Sequence, residues 1–153
     1  MGTLSKLKNI ESPLEITRML EMVGANTELG RPALRFKVAL CELDQIADLE
    51  EKYPKRHDKT EAGREEMRQF RTEIGEVVVR GWEGVTAETL ACVSKRFLQN
   101  DGFAQVDDGE IAFDADNRAV ALEWMDLNAV AVLQHGCLNT QAFAEERARA
   151  KKK

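Results

Sequence analysis

The chain has 153 residues, of which 43% are apolar and 32% charged, with a formal net charge of −5. A length of this order is most simply one domain, able to bury enough surface to fold without a disulfide or a metal. The acidic balance argues against a general nucleic-acid binder, which would present a basic face, and three cysteines, Cys41, Cys92 and Cys137, argue against an even-numbered disulfide framework and for reduced thiols.

Residues 1–11 are polar and are expected to be a flexible N-terminal segment. Ser12, Pro13 and Glu15 form a capping box with proline at the first helical position. They predict a helix with Leu14, Ile16, Met19, Leu20 and Val23 on its apolar face and Gly24 as its stop. Residues 25–32 read as a loop. Leu34, Phe36, Val38 and Leu40 then alternate with Arg35, Lys37 and Ala39, the period of a half-buried strand. The early chain shows no partner strand, so this segment either pairs or leads straight into the next helix.

Leu43, Ile46, Leu49 and Tyr53 mark a helix over 42–53, which Pro54 ends. The longest periodic segment, about 60–80, carries Met67, Phe70, Ile74, Val77 and Val78 at helical spacing. Gly81 is its expected stop, with Trp82 packing back onto the core. Thr86 caps a helix over 87–99 that buries Leu90, Val93, Phe97 and Leu98. Asn100-Asp101-Gly102 is a turn, and Phe103–Val106 with Glu110–Phe113 suggests a small hairpin around Asp107-Asp108-Gly109. Asp114 caps a helix from Ala115 to about Leu127, and a further run over 128–138 either continues it or follows it. A charged helix over 141–150 leads to a fraying end. The expected fold is mainly α: a compact multi-helix domain over 12–145, with at most a short strand or hairpin around 34–40 and 103–113. A basic C-terminal tail over 146–153 follows it.

Catalytic signals are sparse. His135 and Cys137 stand two residues apart, but a nucleophilic cysteine needs a base and a third, orienting group, and no candidate for the third is legible. A partly buried helical pair is the better reading. Asp107, Asp108, Asp114 and Asp116 do not fit a calcium loop, because Ala119 stands at its glycine position. Turn and cap chemistry explains them instead. No phosphate loop, dinucleotide fingerprint or nucleophile elbow occurs. No enzyme activity, cofactor or metal is therefore expected. The basic end, Arg147 to Lys153, reads as a solvated helix terminus complementing the helix dipole. No apolar run reaches the ~20 residues of a membrane helix, and no secretory signal is legible at the N-terminus.

Two segments carry a more specific signal. Val77-Val78-Val79-Arg80-Gly81-Trp82-Glu83-Gly84-Val85 closes the long charged helix, and Gly109, Ile111, Phe113, Asp114 and Asn117 open a later one. This order resembles a family of small tailed-phage and prophage proteins assigned as tail assembly chaperones or tail-morphogenesis factors. In that family a Gly-Trp-x-Gly-Val-like turn leads within a few residues to a segment that carries a glycine, an apolar residue and a phenylalanine in that order. Here Thr86 to Asp108 intervenes, in keeping with an inserted helix.

The resemblance implies a non-enzymatic virion morphogenesis protein in the cytoplasm of the bacterial host. Its partners would be other phage tail proteins, such as an immature tape-measure protein, and it could be a homo-oligomer. Trp82, Val85, Phe113 and Trp124 are the candidate motif or partner-binding residues, with core packing as the alternative for each. A second reading is a small phage-encoded inhibitor of a host defence or regulatory complex, whose acidic surface mimics nucleic acid.

Overall fold

The strand at Leu34–Ala39 organises the molecule. The computed structural model describes residues 14–100 and 109–152. In it Leu34, Phe36 and Val38 are completely buried, while Arg35 and Lys37 between them face outward. A strand this deep needs hydrogen-bond partners on both edges, because its amides cannot reach water. It forms the centre of a three-stranded antiparallel sheet of order β1-β2-β3, with β1 at Thr17–Val23, β2 at Leu34–Ala39 and β3 at Val79–Glu83.

The first strand replaces the helix expected after Ser12. Thr17 pairs with Ala39 and Leu20 with Phe36, and the register shifts between Glu21 and Val23. Arg18 turns toward the helices, where its guanidinium donates to the Gly136 carbonyl at 2.9 Å and lies 5.1 Å from the centre of the Phe143 ring. Edge pairing to β2 outweighs the helical spacing of the apolar residues, which is a weak preference beside tertiary contacts. Ser12 and Pro13, the cap signal, lie outside the described residues.

Among the described residues, seven helices accompany the sheet and dominate the structure, leaving the face with Glu21, Arg35, Lys37 and Glu83 exposed. They are α1 (Leu43–Lys52), α2 (Glu61–Val78), α3 (Ala87–Ala91), α4 (Lys95–Gln99), α5 (Ala115–Trp124), α6 (Leu127–Leu138) and α7 (Thr140–Lys151). The long helix α2 starts where Thr60 accepts a hydrogen bond from the Gly63 N–H at 3.0 Å. It stops at Val78 rather than Gly81, and the chain turns directly into β3. Gly81 is therefore a strand residue, paired with Lys37. The run Val77-Val78-Val79 suits that change, because β-branched side chains favour the pleated conformation.

Three further boundaries differ from expectation. The helix expected over 87–99 breaks in two because buried Ser94 caps α4: its hydroxyl accepts from the Phe97 N–H and donates to the Trp124 carbonyl. The 115–138 region divides at Met125, which is extended. Asp126 then ties the break to α4, its N–H donating to the Val93 carbonyl and its carboxylate accepting from the Lys95 N–H. Glu110–Phe113 is irregular rather than an arm of a hairpin, and the other arm lies outside the described residues. The N-terminal segment 1–11 also lies outside them. The basic end is helical through Lys151 as part of α7.

One continuous core joins the sheet to the helices, running from Leu34 and Phe36 through Ile74, Leu122 and Leu133 to Phe143. Two glycines permit close approach. A Cβ on Gly75 of α2 would stand 2.7 Å from Leu122 Cγ of α5, and one on Gly136 of α6 would stand 2.5 Å from Leu20 Cδ2 of β1.

Candidate interaction surface

The two motif segments, separated in sequence by α3 and α4, meet in space. The Trp82 indole N–H donates to the Ile111 carbonyl at 2.8 Å. The Ile111 N–H returns to the Val85 carbonyl at 2.7 Å, and the Gly84 N–H donates to a Glu110 carboxylate oxygen at 2.9 Å. Residues 110–111 thus cover the end of β3. Trp82 stacks on Phe36 beneath it, with ring centres 5.9 Å apart, and meets the edge of Phe113 at 5.1 Å. Both arrangements suit the ring quadrupole.

Neighbouring groups fix this junction. Asp114 caps α5 by accepting from the Asn117 N–H at 2.7 Å, and the Asn117 amide donates back to the Ala112 carbonyl at 2.9 Å. Arg118, one turn on, lies over the Phe113 ring at 5.8 Å and donates to the Val79 carbonyl at 3.2 Å. On the other side, Thr86 caps α3 while the buried Thr89 hydroxyl donates to the Gly84 carbonyl at 2.7 Å. Gly84 has φ +70°, and a Cβ there would collide with the Ala33 carbonyl. The second glycine of the motif is thus required by both torsion and space.

The four candidate residues therefore divide. Trp82 is half-buried, and Phe113, 36% exposed, presents its ring at the surface. Val85 is fully buried and belongs to the core. Trp124 stands at the far end of α5, about 15 Å along the helix from Phe113. There it packs 4.8 Å from Phe97, with the Arg96 guanidinium 4.1 Å above its ring. The structure joins Trp82 and Phe113 and leaves Trp124 in a separate contact.

Two depressions escape the sequence. A polar groove of about 760 Å³ follows α2, with Glu65, Glu73, Glu76 and Glu123 facing Arg68 and Arg96. Within it Glu73 accepts from Lys52 at 2.8 Å and from the Tyr53 hydroxyl at 2.6 Å. Burial pushes the Glu73 carboxyl up, but these two hydrogen bonds outweigh it and hold the group below the usual carboxylate range. Glu65 is also held low, by the hydrogen bonds and charge of Arg68.

The second depression, about 550 Å³, is more apolar and is lined by Leu40, Leu43 and Leu138 with Cys41. An adjoining depression shares Leu40 with it and reaches Leu14 and Ile16. Leu43 is 69% exposed and Leu14 73% exposed, although both are large apolar side chains. Leu43 signalled this in sequence only weakly, because helical spacing suited it equally to the core.

The His135–Cys137 pair singled out in the sequence is not arranged for nucleophilic catalysis. Burial drives the Cys137 thiol up to about 12, the reverse of what a nucleophile needs, and His135 is exposed. Among the described residues no three His, Cys, Asp or Glu side chains stand where they could hold a metal ion. None of the helices among the described residues is long and apolar enough to cross a membrane. No family model, curated protein or solved structure matches the chain.

Proposed function

We propose that the protein is a non-enzymatic phage morphogenesis factor that acts as a tail assembly chaperone, holding apolar segments of an immature tail protein until the tail polymerises. One observation carries this reading. Gly81–Val85 and Gly109–Asn117 resemble two parts of one family motif, and here they form one structural unit through the Trp82–Ile111 and Ile111–Val85 hydrogen bonds. The segment between them leaves the junction and returns to it, so the motif is continuous in space although interrupted in sequence.

The apolar depression supplies a place for a client. An amphipathic helix laid between Leu43 of α1 and Leu138 of α6 would bury leucines that the free chain exposes, by the same physics that packs the core. Residence would be transient, since the wall is small beside a stable interface.

Replacing Leu43 by Asp tests the surface. The site is exposed, so the variant should melt within a degree or two of the parent, yet lose co-purification with tail components by tenfold or more. Retained co-purification would move the client to another face. Normal tails after deletion of the gene would refute the function itself.

A further inference from the structure

The fold brings together two cysteines that are far apart in sequence. Cys41 follows β2, and its N–H donates to the Cys137 carbonyl near the end of α6 at 2.8 Å. A backbone bond of that length holds the two Cα atoms about 5–6 Å apart, within the span of a disulfide. Each thiol at present donates to a nearby carbonyl, Cys41 to Glu42 at 3.4 Å and Cys137 to Gln134 at 3.1 Å, so a bond between them needs only side-chain rotation. Access to them is unequal. Cys137 is sealed at 0% exposure, whereas Cys41, at 5%, lines the apolar depression beside Leu40, Leu43 and Leu138.

We propose that Cys41 and Cys137 form a gated dithiol, which a small disulfide oxidant entering the depression converts into an internal disulfide tying the exit of β2 to the end of α6. Cys41, the accessible partner, gives up its proton and attacks one sulfur of the oxidant R–S–S–R. The sulfur–sulfur bond breaks, and the departing R–S⁻ takes up a proton. Cys137 then gives up its proton and attacks the Cys41 sulfur of the mixed disulfide, releasing the second R–SH. The two cysteines lose two electrons together, and the oxidant becomes two thiols.

Burial raises both thiols above the ordinary range, so thiolate is scarce while the site is shut. Because Cys137 is sealed and Cys41 nearly so, reaction waits on a local opening beside the depression. Once formed, the bond would fix Leu138 relative to Leu40 and Leu43 and hold the depression in one shape.

The exposed Cys92 would consume oxidant independently, so the test uses full-length protein carrying Cys92→Ser. It is incubated with oxidised glutathione at about pH 8, where a surface thiol reacts readily, then alkylated and weighed intact without reductant. The expected product has lost two hydrogens, carries no glutathione and accepts no alkylation. Its Tm should rise by roughly 5–10 °C. A lasting glutathione adduct with Cys137 still open to alkylation would overturn the proposal, as would thiols that oxidise only after the chain is unfolded in urea. Cys137→Ser in the same background should trap glutathione on Cys41. An adduct on Cys137 in Cys41→Ser would overturn the assigned order of attack.

Discussion

At the scale of single residues, Gly84 is the most constrained position of the motif. Its backbone lies in the left-handed region, its N–H is held by Glu110, and its carbonyl accepts from Thr89. Alanine there would meet the Ala33 carbonyl, which belongs to the chain entering β2 and has little room to move. Gly84→Ala should therefore cost about 3 kcal/mol or more in chemical denaturation, well above the typical single substitution. Gly81→Ala is the matched control. Gly81 has no positive φ, and a Cβ there would stand an ordinary 3.6 Å from Lys37 Cβ. Equal losses in the two variants would show that the left-handed turn is not what the motif protects. Trp82 and Val85 were legible in sequence as residues of interest, but not their difference in exposure. Val85 is sealed in the core, whereas Trp82 lies at its margin and is closed only in part, by Ile111 and Phe113 from across the chain.

Between elements, the joint of α1 with α2 gives the molecule an acid-sensitive contact. Glu73 of α2 binds Lys52 and Tyr53 at the end of α1, and its carboxyl titrates below the usual range in the folded state. A depressed carboxyl binds more protons unfolded than folded, so it adds stability above its unfolded pKa, about 4.3. That contribution falls away as pH drops through the lower folded value. Urea midpoints should decline from about pH 5 toward pH 3, and Glu73→Gln should flatten that acid limb without abolishing it, because Glu65 titrates in the same direction. An unchanged slope in Glu73→Gln would mean that the joint does not contribute. The same scale shows what sequence could convey. The helices α1, α2, α5 and α7 were legible because their signals are local: Pro54 beyond α1, Asp114 as the cap of α5, and apolar residues three and four apart. The strand β1 was not legible, since Leu20 and Val23 suit a helix face equally well and only the open edge of β2 decides between them. The break at Ser94 was missed, and the one at Met125 was left open and set near Leu127, for a related reason. Ser94 and Asp126 act on each other's neighbourhoods across some thirty residues, which no local window contains.

For the molecule as a whole, the question is whether the segment between the two motif parts is an appendage or part of the core. An inserted helix could in principle melt on its own, leaving the sheet and the long helix intact. The packing argues otherwise. Leu90, Val93 and Phe97 are 3–5% exposed and share one continuous cluster with Phe36, Ile74 and Leu133. Phe97 also touches Trp124, and Ser94 holds the last carbonyl of α5. Removing the Phe97 ring should therefore cost the full protein about 3–5 kcal/mol, a large part of the 5–15 kcal/mol that holds a typical domain together. The loss should appear in every probe at once. Helical circular dichroism and tryptophan fluorescence, which reports Trp82 on β3 and Trp124 on α5, should shift to lower temperature together in Phe97→Ala and remain a single transition. A parent-like fluorescence transition preceded by a separate early loss of helix would show that α3 and α4 fold as an independent unit. The junction at Trp82 and Ile111 would then be closed by the motif segments alone, without help from the chain that separates them.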